Sequence, residues 1–317
     1  MDPWGGRCIR RLVAGLLLAS ALAQAARDLP MSDLPMREIA PGVFVHEGRH
    51  APWGEAENGD VANLGFIVGQ CCVAVIDSGG SPGLGEALRR AVAQRTARPV
   101  CYVINTHVHP DHVLGNRAFS AQEGDRPQFV GHARLTAALT ARAPAYLAAL
   151  ERDFGVTRDA ALIVYPDLQV ADRLQLDLGN RTIELRAWPT AHTDNDLTVF
   201  DTASGTLFAG DLVFASHLPV VDGKLLGWLE VLSALEGLTV DRVVPGHGAV
   251  SAAWPAAVAP QREYLESLRD QVRAAIRAGR TIGEAVASIP APDHWLLVDE
   301  FHRRNVTASF AELEWED

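Results

Sequence analysis

The segment Thr106-His107-Val108-His109-Pro110-Asp111-His112 places three imidazoles and a carboxylate within six residues. Neutral imidazole and carboxylate are hard-to-borderline metal ligands, so a cluster this dense reads first as a metal site. The preceding run, Val100-Cys101-Tyr102-Val103-Ile104, is β-branched and aromatic and predicts a buried strand that empties into the cluster. If the backbone stays extended past Asn105, the period of two turns His107, His109 and Asp111 to one side and His112 to the other. Pro110 keeps His109 out of helical geometry. That split suits two metal ions better than one, with His107 and His109 on the first and Asp111 and His112 on the second. The spacing is not the helical HExxH arrangement, which sets its histidines four apart.

A metal reading predicts further ligands downstream, each at the end of a strand. Thr182-Ile183-Glu184-Leu185-Arg186-Ala187-Trp188 alternates as a strand does and leads to His192 within Pro189-Thr190-Ala191-His192-Thr193-Asp194-Asn195. Leu207-Phe208-Ala209 leads to Gly210-Asp211, and Arg242-Val243-Val244 to Pro245-Gly246-His247-Gly248. A single His or Gly-Asp pair is usually a turn or a core residue. Three of them at strand ends, after a histidine cluster, share one explanation.

These motifs resemble the metallo-β-lactamase-fold superfamily, whose ligands run in the order HxHxDH, His, Asp, His. The resemblance covers residues 37 to 250 and extends to Val75-Ile76-Asp77-Ser78-Gly79. It implies an αβ/βα four-layer sandwich, two β-rich halves face to face with helices outside. It also implies two Zn²⁺ ions, with iron or manganese as other metals the site could take. His107, His109 and His192 would hold the first ion and Asp111, His112 and His247 the second, with Asp211 as the bridge. β-Lactam-hydrolysing branches place Cys where this chain has Asp211, or lack the bridging carboxylate, so the pattern is closer to glyoxalase II-like hydrolases. The runs Gly59-Asp60-Val61-Ala62-Asn63-Leu64-Gly65-Phe66-Ile67-Val68-Gly69, Tyr102-Val103-Ile104-Asn105-Thr106-His107, Phe129-Val130-Gly131-His132-Ala133-Arg134 and Leu218-Pro219-Val220-Val221-Asp222-Gly223 are similar to quinoprotein relay system zinc metallohydrolases, a group related to the SoxH-type proteins. That likeness implies the company of periplasmic quinoprotein dehydrogenases without naming a substrate.

The implied chemistry is hydrolysis of a thioester, ester or lactone-like bond by a metal-bridging hydroxide, with Asp111 orienting the nucleophile and passing its proton to the leaving group. Other readings stay open: a β-lactamase, a single-iron persulfide dioxygenase, and a non-catalytic accessory factor for a quinoprotein. Two residues outside the ligand set are candidate substrate contacts. Trp53, between Pro52 and Gly54, lies where related hydrolases carry a hairpin over the metals. His217 follows Asp211 by six residues and reads either as a substrate donor or as a solvated loop histidine. His46, His50, His132, His294 and His302 have no ligand partner in the sequence and read as structural.

Composition agrees with an enzyme acting on a small molecule. The 317 residues are 48% hydrophobic and 21% charged, ordinary for a globular chain, and the net charge of -11 argues against nucleic acid or an anionic membrane as partner. Residues 1 to 25 read as a signal peptide. Arg7, Arg10 and Arg11 precede a short apolar run from Leu12 to Ala23, too short to span a bilayer, and Ala23-Gln24-Ala25 fits the cleavage rule. The expected product is periplasmic or secreted, with no membrane attachment after cleavage. Cys71, Cys72 and Cys101 would remain, an odd number that cannot all pair, and they read as small buried apolar residues.

Along the chain, Val43 to His46 and Leu64 to Val68 predict early strands, and residues 82 to 96, 132 to 151 and 224 to 237 predict helices. Strands alternating with helices are expected through His247. Residues 251 to 317 form an extension of helices, at 255 to 278, 281 to 288 and 300 to 315, packed on the same domain.

Overall fold

The structure, a computed structural model, describes residues 33–120 and 126–316. The segment read as a signal peptide lies outside the described residues. The chain divides into Met1–Asp33 and Leu34–Asp317, and both sheets, their helices and the histidine cluster belong to the second unit.

Two sheets carry the site. The first is ordered β1 (Arg37–Ala40), β2 (Val43–His46), β3 (Leu64–Val68), β4 (Val73–Ile76), β5 (Val100–Ile104), β6 (Gln128–His132) and β7 (Leu168–Val170). It is antiparallel as far as β4 and parallel from there to β7. The second is ordered β12 (Arg242–His247), β11 (Thr206–Phe214), β10 (Leu197–Asp201), β9 (Thr182–Ala187) and β8 (Arg173–Asp177), antiparallel except for the parallel β11–β12 pair.

The sheets meet face to face because alternate residues of each are apolar. Ile183, Leu185 and Ala187 of β9 are buried while Thr182, Glu184 and Arg186 are less so, the period of two expected of a strand with one dry face. They join Val43, Val45, Ile67, Ala74, Ile76, Ile104 and Val130 in the core between the sheets. Phe44, on the opposite side of β2, lies under the guanidinium of Arg95 at the end of helix α1 (Pro82–Arg95). On the far side of the second sheet, Trp228, Leu232 and Leu235 of α5 (Leu225–Glu236) pack with Leu265, Leu268 and Val272 of α6 (Ala259–Arg277) and with Val306 and Phe310 of α8 (Val298–Leu313). Every residue of β11 is buried because it lies between these two cores. The expected four-layer αβ/βα sandwich is therefore the fold. Among the described residues no helix is long and apolar enough to cross a membrane.

Local sequence explains the helix boundaries. Ser81 caps α1 by accepting from the Leu84 amide at 3.2 Å, with Pro82 in the first turn. α4 (Leu135–Phe154) ends at Gly155, whose φ of +69° suits glycine. The short α7 (Ile282–Ser288) starts on a capping box between Thr281 and Glu284.

Two expectations fail. Strands and helices do not alternate through His247: from Leu168 to Phe214 five strands follow one another with no helix between them, and β8 and β9 are joined by the tight turn Asp177–Thr182 with Gly179 at φ +85° and Asn180 at φ +50°. Antiparallel neighbours need only such turns, whereas parallel ones need a crossover. Nor are the cysteines all small buried apolar residues. Cys72 and Cys101, on the neighbouring segments of β4 and β5, form a disulfide with Cα atoms 5.8 Å apart, and Cys71 is exposed and free.

At the end of the sandwich opposite the histidine cluster, Arg181 forms a bidentate pair with Asp201, at 2.9 and 2.6 Å, and also donates to the carbonyls of Pro41 and Val68. Burial alone would raise the Asp201 carboxyl, but the hydrogen bonds from Arg181 and Ser204 and the Arg181 charge hold it below its ordinary value. A carboxyl whose folded pKa is depressed stabilises the fold above its unfolded pKa of about 3.9, and loses that contribution as pH falls through the folded value. Asp201→Asn should therefore lower the Tm at neutral pH and flatten the acid limb of the Tm–pH curve. A Tm–pH curve parallel to that of the wild type would contradict this role for the pair.

Candidate metal centre

The carboxyl ends of parallel strands β4 and β5 open on one edge of the first sheet, which delivers Asp77 and the His107 to His112 segment to the same place. The chain bends over residues 106–108, and His109, at φ −62° and ψ 149°, is extended. Pro110, which lacks the N–H a helix start cannot use, then opens the one-turn helix α2 (Pro110–Val113). This corrects the expectation that the extended backbone continues through Asp111. His107 and His109 lie before that turn, His109 on extended backbone, whereas Asp111 and His112 come from the helical turn itself.

The second sheet supplies the rest. His192 lies in the loop between β9 and β10, Asp211 within β11, and His247 at the end of β12. β11 and β12 pair in parallel with an irregularity between Gly210 and Phe214, which is where Asp211 lies. Glycines make room for it. Gly210 has φ +52°, and a Cβ on Gly246 would run into Asp211 Oδ1.

All seven side chains expected as ligands converge, in two groups. His107, His109, His192 and Asp211 offer atoms within 4.8 Å of one another, and so do Asp111, His112 and His247. Asp211 lies between them: its Oδ2 is 3.7 Å from His107 Nε2 and 3.4 Å from both His192 Nε2 and His247 Nε2, and its Oδ1 is 3.1 Å from His112 Nε2. Asp111 Oδ2 is 3.4 Å from His247 Nε2. All are buried except His109, which is partly exposed.

The outward nitrogen of each histidine faces an acceptor. His192 Nδ1 donates to the Val220 carbonyl at 2.7 Å, His247 Nδ1 to the Val61 carbonyl at 2.8 Å, and His112 Nδ1 to Asp77 Oδ2 at 2.8 Å. His109 Nε2 donates to Asp222 Oδ2 at 2.9 Å. His107 Nδ1 lies 3.1 Å from Thr106 Oγ1, whose own proton goes to Asp77, so that nitrogen also donates. A neutral imidazole carries one N–H, so in the neutral form all five inward nitrogens present lone pairs. They face carboxylate oxygens or each other, as His192 Nε2 and His109 Nδ1 do at 3.0 Å. His107 Nε2, His112 Nε2 and Asp211 Oδ1 are buried with no hydrogen-bond partner. Lone pairs crowded against lone pairs require cations between them, and the N/O donor set fits divalent metal ions.

Without metal, protons must serve instead, and they set the pKa directions. Burial opposes charge on His112 and His247, but nearby carboxylates, Asp211 foremost, raise both. Burial pushes His107 well below the ordinary histidine value and His192 down to about 4. Burial would raise Asp211, yet the charges of His247, His112 and His107 hold it well below the carboxylate range.

A cleft of about 710 Å³ opens over the cluster. Trp53 lines it but is tied down, its Nε1 donating to the Gly80 carbonyl at 3.0 Å and its ring meeting Phe154 edge-on at 5.1 Å. His217 also lines it, but it is not a solvated loop histidine. It is buried, stacked on His247 at 4.7 Å and packed on Phe214 and Phe301, and burial lowers it to about 3. Among the other histidines, His46 bonds Asp60 at 2.7 Å and His132 accepts from the Arg134 amide at 2.9 Å. Sequence reasoning missed Asp77 and Asp222 as orienting groups. The first stood in a strand-end Asp-Ser-Gly signature. The second was only part of a family-like run. Arg142 and Tyr146 of α4, which also line the cleft, had no sequence signal.

Comparison with known proteins agrees with this geometry. The model of the metallo-beta-lactamase superfamily matches residues 58–247. No curated protein matches the chain. Among solved structures, a metallo-beta-lactamase from Pontibacter korlensis superposes with TM-score 0.60 at 19% identity, over 74% of this chain and 99% of that one. The DIM-1 metallo-beta-lactamase gives 0.57 at 14% identity, over 74% and 98%. The inverting sec-alkylsulfatase Pisa1 from Pseudomonas sp. gives 0.67 at 16% identity over 89% of this chain, which spans about half, 51%, of that larger protein. The family match covers more than half of the chain and ends on His247, the last member of the cluster: the protein belongs to the metallo-beta-lactamase superfamily, whose members are typically metal-dependent hydrolases.

Proposed function

We propose that the protein is a periplasmic dinuclear zinc hydrolase acting on a carbonyl-type bond, a thioester, ester or lactone-like linkage. His107, His109 and His192 hold one ion, Asp111, His112 and His247 hold the other, and Asp211 lies between. The observation that carries this reading is the set of five imidazoles that all donate outward and leave only lone pairs inward. Zinc, when bound, supplies a hydroxide near neutral pH and a Lewis acid for the developing oxyanion.

The chain's own residues complete the reaction. Asp111, on the second group and lining the cleft, orients the attacking water and carries its proton to the leaving group. Asp77 fixes His112 while also accepting from the Thr106 amide and hydroxyl, both at 2.8 Å. Asp222 fixes His109 and is itself paired with Arg142 at 2.8 Å. Burial would raise the Asp222 carboxyl, but the His109 hydrogen bond and the charges of His109 and Arg142 keep it well below its ordinary value. Trp53 and His217 both line the cleft and shape it.

The complete second donor group weighs against a single-iron dioxygenase, and Asp rather than Cys at 211 weighs against a β-lactamase. The periplasmic assignment draws support from the Cys72–Cys101 disulfide, a bond of oxidising compartments. The glyoxalase II-like chemistry and the tie to a quinoprotein dehydrogenase system rest on sequence likeness.

Zinc-loaded protein should hydrolyse members of a panel of generic thioesters, esters and lactones, and loss of turnover on chelation should reverse with Zn²⁺. Asp211→Ala should lower zinc content from two equivalents toward one and cut turnover at least about 100-fold. No turnover of any panel member would overturn the hydrolase reading, and two retained zincs in the variant would overturn the bridging role. Asp77→Ala should weaken one metal equivalent by about 10- to 100-fold in a chelator competition titration. Unchanged affinity for both equivalents would contradict the orienting role of Asp77.

A further inference from the structure

The family match ends at His247, yet the chain continues through three further helices, and one buried polar side chain on the last of them reaches toward the metal cluster. Asn305 lies on the inward face of α8 with His302, Val306, Ser309 and Phe310 and has no exposed surface. An uncharged amide in that position costs free energy unless its groups are paired. Its Oδ1 accepts from the Val221 amide at 2.9 Å. Its Nδ2 donates to the Pro219 carbonyl at 2.6 Å and to the Tyr264 hydroxyl at 2.9 Å.

The Val221 N–H and the Val220 C=O belong to one peptide group, and the Val220 carbonyl is the acceptor for His192 Nδ1 at 2.7 Å. Asn305 therefore holds one end of the peptide whose other end sets the tautomer and plane of a cluster histidine. A peptide whose N–H is bonded is polarised and accepts more strongly at its carbonyl. A stronger acceptor at Nδ1 makes Nε2 a better donor toward the cluster. The next residue, Asp222, orients His109, and its amide donates to the His192 carbonyl at 3.1 Å. A four-residue loop thus carries the outer partners of two of the three histidines in the first group, and Asn305 bonds it on both sides of Val220.

We infer that Asn305 is a positioning residue for the first metal group, acting through the Val220–Val221 peptide on His192. The inference deepens the proposed function and rests on it for the metal. Its structural content, the orientation of His192, is independent of metal. α8 is then part of the centre's construction and not only a cover for the second sheet.

Two readouts on full-length protein test it, with Phe310→Ala as a control that loosens the same helix while leaving the Asn305 hydrogen bonds to the loop in place. In a zinc titration against a competing chelator, Asn305→Ala should weaken one equivalent about tenfold and leave the other unchanged, while Phe310→Ala leaves both. In metal-free protein followed by ¹⁵N-resolved imidazole NMR, the His192 Nδ1 proton should exchange at least about tenfold faster in Asn305→Ala than in wild type or Phe310→Ala. Asn305→Asp, which keeps the acceptor for Val221 but loses the donor to Pro219, should restore part of the protection. If the wild type binds no zinc but the NMR response appears, the positioning inference stands and the metal reading falls. An unchanged His192 proton in Asn305→Ala, or equal effects of both alanine variants, overturns the inference.

Discussion

Five imidazoles share one constraint: each has its outer nitrogen committed as a donor, so each turns a lone pair inward onto the same small volume. Such an arrangement repels itself unless cations occupy it, and most of the surrounding architecture maintains it. The acceptors come from separate parts of the fold: Asp77 after β4, the Val61 carbonyl before β3, and Val220 and Asp222 in the loop before α5. Holding them in register needs both sheets stacked and closed, because no single element carries more than part of the set. Asp211 at the β11 irregularity then stands against four of the five inward nitrogens at once.

Much of this was legible in the sequence because the clustered His and Asp residues are local signals. A dense His/Asp run after a strand, and single His or Asp residues after later strands, pointed to side chains that the fold does bring together in two groups. The path by which Asp111 and His112 reach their group was not. Pro110 opens a helical turn, and the proline itself marked only the end of extended chain. The expectation of helices between the strands from Leu168 to Phe214 failed because apolar alternation identifies a strand without saying whether its neighbour runs parallel, and only the parallel case demands a helix between. The Cys72–Cys101 bond was missed for a related reason, since it depends on β4 and β5 being adjacent and parallel.

The acceptors behind the ligands were the least legible part. Val220 acts through its carbonyl, which no side-chain pattern reports. Asn305 is a single asparagine inside a helix that contacts residues 84 and 86 positions earlier. Neither has a signature, and each is recognisable only once the fold brings it to its partner. The same holds for His217, whose loop position suggested solvent while its ring is stacked on His247 and packed against Phe214 and Phe301.

The central claim is that the seven side chains form two metal sites and not one. Crystals of the zinc-loaded protein, measured on both sides of the zinc absorption edge, test it directly. Two anomalous peaks are expected, one against His107, His109 and His192 and the other against Asp111, His112 and His247, with Asp211 reaching both. A single peak, or none within the cluster at saturating zinc, would contradict it.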